Sequence, residues 1–333
     1  MQKGQTNRYS RQTILKEMGE EGQESLRNSF AIIVGCGALG CVTAELLARA
    51  GIGKMRIVDR DIVELENLQR QILFDENDIG TPKAIAAVEK LRRINSELEF
   101  EAIVKDLNPT NIEKILETAD IVLDGTDNME TRYLINDTCV KKGIPWVYGG
   151  AVSTYGMSLN VLPKKTACLV CAFPYMPRAG SLPTCDTVGV LNTVPSIIGS
   201  IQATEALKIL MKKKFSRDLI IYDVWSHDFQ SIKLKRNADC KCCAGHVFEY
   251  LSAEKAETVT ILCGRNSVQI TPATEPEVTL QDLATRLKKV GDVKLSPVHL
   301  IFETKDVVLH VFKDGRAIVK GTDNETLAKS IYA

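Results

Sequence analysis

The 333-residue chain predicts an α/β fold: a mostly parallel sheet with helices on both faces, followed by a small α+β domain. Three observations carry this reading. From residue 30 to about 148, short aliphatic runs alternate with stretches of helical period, as strands buried on both faces require. The first run, Phe30-Ala31-Ile32-Ile33-Val34, enters Gly35-Cys36-Gly37-Ala38-Leu39-Gly40 and an apolar helix to Ala50, and the next strand, Lys54 to Val58, ends in Asp59. Beyond about residue 250 the pattern changes to short β runs around one helix.

The strand, glycine turn, helix, strand and acid together form a Rossmann-like mononucleotide-binding unit. Gly37 and Gly40 let backbone approach a phosphate, the helix N-terminus offers N–H groups to the anion, and Asp59 can accept bonds from ribose hydroxyls. The alternative is a glycine turn that merely closes a helix onto a sheet.

Taken in order, residues 1–29 are a polar arm with a helix from Gly19 to Asn28, solvated on the residues' own reading. Pro82 opens a helix from Lys83 to Ile94. A strand from Glu99 to Lys105, a helix from Asn111 to Thr118 and a strand from Asp120 to Leu123 follow, then a helix from Met129 to Lys141 and a strand from Trp146 to Tyr148. Strand character returns from Ser158 to Pro163. A long loop holds Cys168, Cys171, Pro174, Pro177, Pro183 and Cys185, and loops of that length are usually functional. An amphipathic helix from Pro195 to Lys213 and strands Leu219 to Val224 and Ser231 to Leu234 lead to Cys240-Lys241-Cys242-Cys243. The tail has β runs Val259 to Cys263, His299 to Glu303, Val307 to Phe312 and Ala317 to Lys320, a turn at Asp314-Gly315, and a helix Leu280 to Val290 with a capping box from Thr279 and Asp282. The expected division is 1–29, 30–249 and 250–333, with no recognisable chemistry in the last part.

Lysine plus arginine equals aspartate plus glutamate, 42 each, so charge favours neither nucleic acid nor an acidic membrane surface. There is no apolar run of eighteen residues and the first thirty residues are polar, which points to a cytoplasmic, soluble protein. Of ten cysteines, four sit in two C-x-x-C pairs, Cys168/Cys171 and Cys240/Cys243. Four thiolates fill a tetrahedral Zn²⁺ and leave no place for water, so the site would be structural and pin the long loop. Buried free thiols or a redox pair are the alternatives, and Cys242 leaves open which thiol of the second pair ligates.

Asn67, Arg70, Gln71 and Lys83 supply more donors just beyond Asp59 than a pyrophosphate on a glycine turn needs, and suit a triphosphate. Asp124 and Asp127 end a strand where a carboxylate can hold Mg²⁺, the companion of ATP phosphates.

On these residues the chain resembles the ThiF/MoeB/HesA adenylating enzymes, relatives of ubiquitin-activating enzymes. The matching stretches, between residue 8 and about 245, are Arg8-Tyr9-Ser10-Arg11-Gln12, the glycine turn, Asp59-x-Asp61, Asn67-Leu68-Gln69-Arg70-Gln71, Pro82-Lys83, Thr126-Asp127-Asn128, both C-x-x-C pairs and Thr184-Cys185. The resemblance implies that ATP adenylates the C-terminal glycine of a ubiquitin-like sulfur carrier ending in Gly-Gly, of the ThiS or MoaD type, with release of pyrophosphate, as a step toward thiamin or molybdopterin. By the same resemblance Gly37, Gly40, Asp59, Asp61 and Asn128 bind the nucleotide; Asn67, Arg70, Gln71 and Lys83 bind phosphates; Asp127 positions Mg²⁺ and the α-phosphate. Arg11 would reach the γ-phosphate of a neighbouring subunit, which implies a homodimer and removes it from the solvated arm. Cys185 would form a covalent link to the carrier or play no catalytic part. With no rhodanese domain following, sulfur would come from a separate donor such as a cysteine desulfurase. Two departures stand out: Cys36 replaces an aliphatic residue and Gly125 a cysteine found in many members. Competing readings are a nicotinamide-dependent oxidoreductase, opposed by the lack of a hydride-transfer acid or base, adenylation of a peptide, and a silent scaffold, opposed by the presence of Arg11, Arg70, Lys83 and Asp127.

Overall fold

A computed structural model describes residues 8–178, 183–252, 258–262, 266–272, 278–305 and 307–332. The chain divides into two compact units, Met1–Ala253 and Glu254–Ala333.

The first unit begins with α1 (Ser10–Thr13) and α2 (Gly19–Arg27). These are no solvated arm. Tyr9 is buried and its hydroxyl accepts from Asn95 Nδ2 at 2.8 Å, while Gln12 Nε2 donates to the carbonyl of Ala50 at 2.9 Å. The buried phenol and the amide contacts outweigh the polar composition that suggested solvation.

Then follow β1 (Phe30–Val34), α3 (Ala38–Ala50), β2 (Lys54–Val58), α4 (Lys83–Ile94), β3 (Glu99–Ile103), α5 (Ile112–Ile115), β4 (Ile121–Asp124), α6 (Met129–Lys142), β5 (Trp146–Val152) and β6 (Tyr155–Val161). After them come α7 (Leu169–Ala172), α8 (Cys185–Val188), α9 (Thr193–Leu210), β7 (Leu219–Asp223) and β8 (Asp228–Ile232). The eight strands lie in the order β3-β2-β1-β4-β5-β6-β7-β8. The first five run parallel, and β6, β7 and β8 add antiparallel pairs at one side. The order reverses between β1 and β4, and a ligand crevice opens at the carboxyl ends of such neighbouring strands.

Every residue of β1 is buried because helices cover both faces. Ala31 and Ile33 pack with Leu47 of α3, Leu91 of α4 and Ala203 and Ala206 of α9. Ile32 and Val34 pack on the other face with Ile112, Tyr133, Leu134 and Ile135. Each fully buried aliphatic side chain contributes about 1.5–3 kcal/mol, so the sheet centre is the stiffest part of the unit. Gln202 of α9 crosses this interior: its Nε2 donates to the carbonyls of Asp124 at 2.9 Å and Val147 at 3.1 Å.

The helix expected from Asn111 to Thr118 is a single turn. Thr118 turns the chain at φ 65° into β4, a value that ends a helix. The strand expected at Ser231 to Leu234 begins earlier, at Asp228, where β8 pairs with β7 from Asp223 onward.

The second unit holds β9 (Thr258–Leu262), β10 (Ser267–Thr271), α10 (Leu280–Leu287), β11 (Asp292–Leu295), β12 (His299–Glu303), β13 (Val308–Phe312), β14 (Ala317–Lys320) and α11 (Glu325–Tyr332). Its sheet is antiparallel, in the order β11-β12-β13-β14-β10-β9. Val268, Ile270, Leu300, Leu309, Val311 and Val319 form its apolar face with Ala284 of α10 and Ala328 of α11. Cys263, at the end of one expected strand, lies outside the described residues. No helix among the described residues is long and apolar enough to cross a membrane.

Candidate active site

The glycine turn sits at the carboxyl end of β1. Gly35 has φ +84°, and a Cβ on Gly40 would land on the Gly35 carbonyl oxygen. Gly125, just past β4, packs on the same two glycines, and a Cβ on Gly35 would lie 2.6 Å from its oxygen. The glycines therefore let two strand ends close on each other and leave a backbone cradle. Gly37 is the N-cap of α3, so the first N–H groups of that helix belong to this cradle.

Asp59 braces the turn from β2. One carboxylate oxygen accepts from Cys36 N at 2.6 Å and the other from Asp61 N at 2.7 Å. Burial pushes this carboxyl up, and the Lys83 ammonium offsets part of that rise. Each oxygen keeps a second lone pair for a ribose hydroxyl. Cys36 is buried, and its bond to Cys41 and its burial hold its thiol well above the ordinary range, so it is no nucleophile.

Lys83 is the first residue of α4 and only 3% exposed, with Nζ 3.3 Å from Asp61 Oδ2. Asn67 is buried on a 3-10 turn; its Oδ1 accepts from Glu64 N at 3.2 Å, whereas its Nδ2 is buried without a hydrogen-bond partner. Gln71 is also buried, its Oε1 without a partner and its Nε2 4.0 Å from the place a Cβ on Gly37 would take. Orphaned buried amide atoms cost about 1–3 kcal/mol each, and a polyphosphate's oxygens would satisfy the donor on Asn67. The cradle and this donor set fit ATP. Arg70 is half-buried, its Nη1 on the carbonyl of Glu66 at 2.8 Å.

Asp127 lies exposed after β4, and its carboxylate accepts a long bond, 3.5 Å, from Asn128 Nδ2. Asn128 is the N-cap of α6, its Oδ1 accepting from Thr131 N at 2.8 Å, so its carbonyl oxygen serves the helix. Asp124 is not the Mg²⁺ ligand its position suggested. It is fully buried, with one oxygen taken by Thr126 N and Oγ1 at 2.9 and 2.7 Å and the other by Arg132 Nε at 3.1 Å and Gly149 N at 3.4 Å. Burial raises this carboxyl and Arg132 lowers it. Of the two acids, Asp127 alone is exposed to a cation.

Arg132 and Arg60 escaped the sequence reading. Arg60 Nη1 bonds Asp106 at 3.0 Å and its Nε lies 3.8 Å from Asp61. For Arg132 the usable signal was an arginine one turn into a helix whose cap follows a buried acid.

Cys185 opens α8, and its Sγ donates to the carbonyl of Ala151 at 3.5 Å, at the carboxyl end of β5. Arg11 is exposed and does not join this group. Its neighbour Gln12 bonds the last residue of α3, a helix of 13 residues, about 20 Å long.

The sulfurs of Cys168, Cys171, Cys240 and Cys243 all lie within 4.8 Å of one another, with 168–171, 168–240 and 171–243 at 3.7, 3.6 and 3.5 Å. Tetrahedral Zn²⁺ with bonds of about 2.3 Å spaces its sulfurs by about 3.8 Å, so the cluster suits that ion. Cys242 is diverted: its sulfur accepts from Asn136 Nδ2 at 3.2 Å, and Asn136 Oδ1 accepts from Leu169 N at 2.9 Å. Asn237 N donates to Cys171 Sγ at 3.5 Å.

Residues 9–243 match the ThiF family. The chain belongs to the ThiF family. Sulfur carrier protein ThiS adenylyltransferase of Bacillus subtilis (strain 168) is 40% identical over 333 residues, 98% of each chain. SAMP-activating enzyme E1 of Haloferax volcanii is 39% identical over 241 residues, 72% of this chain and 89% of its own. Among solved structures, E. coli MccB with ATP matches at a TM-score of 0.64 and 25% identity, over 72% of this chain and 75% of that one.

Proposed function

We propose that the protein is an adenylyltransferase that uses ATP to activate the C-terminal glycine of a ubiquitin-like sulfur carrier and releases pyrophosphate. The carrying observation is the glycine cradle flanked by Asp59, buried Lys83 and the unsatisfied Asn67 amide, in a chain 40% identical from end to end to a ThiS adenylyltransferase. A nicotinamide oxidoreductase has no use for this donor set.

In this reading Asp59 holds the ribose, with Asp61 keeping Lys83 in place. Lys83, Asn67, Gln71 and Arg70 hold the phosphates and offset charge gathering at the α-phosphorus. Mg²⁺, when bound to Asp127, supplies neutralisation of phosphate charge. The carrier's carboxylate is ionised at neutral pH and attacks the α-phosphorus itself, so no protein base is needed. The protein's share is alignment and electrostatic stabilisation. Arg11, about a helix length from its own cradle, acts in the site of a second copy, which makes the enzyme a homodimer. A cysteine desulfurase passes its persulfide sulfur to Cys185 and recovers its own thiol; the outer sulfur of the Cys185 persulfide then attacks the carrier's acyl adenylate, AMP leaves, and an acyl disulfide joins carrier and Cys185, toward thiamin or molybdopterin. The four-cysteine cluster holds structural Zn²⁺, which suits a cytoplasmic setting where thiols stay reduced.

The test is ATP–[³²P]pyrophosphate exchange with carriers ending in Gly-Gly, repeated for Asp127→Ala and Cys185→Ala. Exchange that needs a carrier and Asp127 and survives loss of Cys185 is the expected result. Tight ATP binding with no exchange for any carrier overturns carrier activation and favours a peptide substrate.

A further inference from the structure

We propose that Arg132 is the positioning residue that sets Asp127. This rests on the reading of Asp127 as the carboxylate that positions Mg²⁺ and the α-phosphate.

Arg132 stands one turn into α6 and is 9% exposed. Its Nε donates to Asp124 Oδ2 at 3.1 Å, its Nη2 to the carbonyls of Thr126 at 2.6 Å and Gly149 at 2.9 Å, and its Nη1 faces Met129 Sδ at 3.6 Å. The Tyr148 ring centroid lies 5.2 Å from the guanidinium carbon. One planar cation thus ties together the end of β4, the loop behind it and β5.

Two consequences bear on Asp127. The Thr126 carbonyl belongs to the peptide that begins Asp127, so clamping it fixes the plane from which the Asp127 side chain departs. The guanidinium's charge, in turn, is neutralised by Asp124, its ion-pair partner through Nε. Asp127 is thereby held in place without being captured in an ion pair, and keeps its oxygens for a metal ion. Lysine cannot substitute: one ammonium does not span a carboxylate and two carbonyls from three segments.

The test uses the full-length protein with an exchange-competent carrier and measures kcat, KM for ATP and the Mg²⁺ half-saturation. The variants are Arg132→Lys, Asp127→Asn and the double. Misplacing Asp127 by an ångström predicts a kcat loss on the order of 100-fold for Arg132→Lys, with KM for ATP little changed. The Mg²⁺ half-saturation should rise several-fold. In the Asp127→Asn background Arg132→Lys should add little, because it acts through the group already altered. An equal loss in both backgrounds, or a loss that tracks folded fraction with unchanged Mg²⁺ dependence, overturns the positioning role. If Asp127→Asn alone leaves exchange and Mg²⁺ dependence intact, the underlying reading of Asp127 fails instead and takes the proposal with it. Should Arg132→Lys not fold, Arg132→Gln with Asp124→Asn removes both buried charges together and is judged by the same readouts.

Discussion

At the scale of single residues, the site is a set of buried polar groups held ready for an anion. Lys83 is 3% exposed and its ammonium sits on Asp61, so Lys83→Ala should cut exchange steeply and leave the half-buried Asp61 carboxylate with the more distant Arg60, 3.8 Å away. Asn67→Ala removes the orphaned donor together with the bond from Glu64 N to Oδ1, so ATP should bind more weakly while the melting temperature of the free protein stays level or falls by the ~1 kcal/mol of one lost cap. A fall in melting temperature with ATP affinity unchanged would show that the amide supports the fold rather than the nucleotide. Gly40→Ala should cost about 1–3 kcal/mol or more and weaken nucleotide binding, because its methyl group would land 1.9 Å from the Gly35 backbone oxygen with Ile33 alongside, and the glycine turn itself must shift. In the second unit, burial first and then Lys320, His299 and Arg316 depress His310 to about 3. The folded state therefore holds a neutral imidazole that the unfolded chain protonates near 6.5. Stability from this residue is complete above that value and is lost as pH falls toward 3. Protection factors of β13 amides, corrected for the intrinsic exchange rate at each pH, should fall over that window, and His310→Gln should flatten the response.

At the scale of elements, two devices position the chemistry. The first is the pair of helix starts, α3 at Gly37 and α4 at Lys83, which bring N-terminal backbone and a lysine to the same edge of the sheet. The second is the cysteine cluster, which joins the start of α7 to the chain beyond β8 and so fixes one end of the loop that carries Cys185. Metal removal by a chelator, or Cys240→Ser, should lower the melting temperature, by about 2–4 °C for each ~1 kcal/mol lost in a unit of this size. Cys242→Ala should retain the metal, because that sulfur is bonded to Asn136. Metal content measured on purified variants separates the two. The elements missed in the sequence were short or mixed in character: β10 reads Ser-Val-Gln-Ile-Thr and buries its Ser267 and Gln269 as well as its aliphatics, so burial there follows neither period.

At the scale of the molecule, the proposed function has Arg11 act in the site of a second copy. Arg11→Ala and Asp127→Ala should each be inactive alone, and a mixture allowed to exchange subunits should recover about a quarter of the wild-type sites, since half the dimers carry one intact site. No recovery from mixed dimers whose formation is verified would place Arg11 in another role. The Haloferax relative is matched over 89% of its length by only 241 residues of alignment, whereas the Bacillus relative matches from end to end. The family match, residues 9–243, lies within the first unit.

Glycine spacing, β-branched runs and paired cysteines by themselves determined the parallel sheet, its nucleotide turn and the cysteine cluster. Their signals are local: a turn needs small residues, a strand needs its period, and each half of the cysteine cluster is a pair three residues apart. Tertiary structure decided which of two neighbouring acids stays open. Asp124 and Asp127 are alike in sequence, but only the approach of Arg132 from α6 and Gly149 from β5 buries one and leaves the other exposed. It also decided that Cys242 is diverted to Asn136 and that Arg11 lies at the far end of α3 from its own cradle. Each depends on contacts between segments distant along the chain, and those exist only once the sheet has brought the segments together.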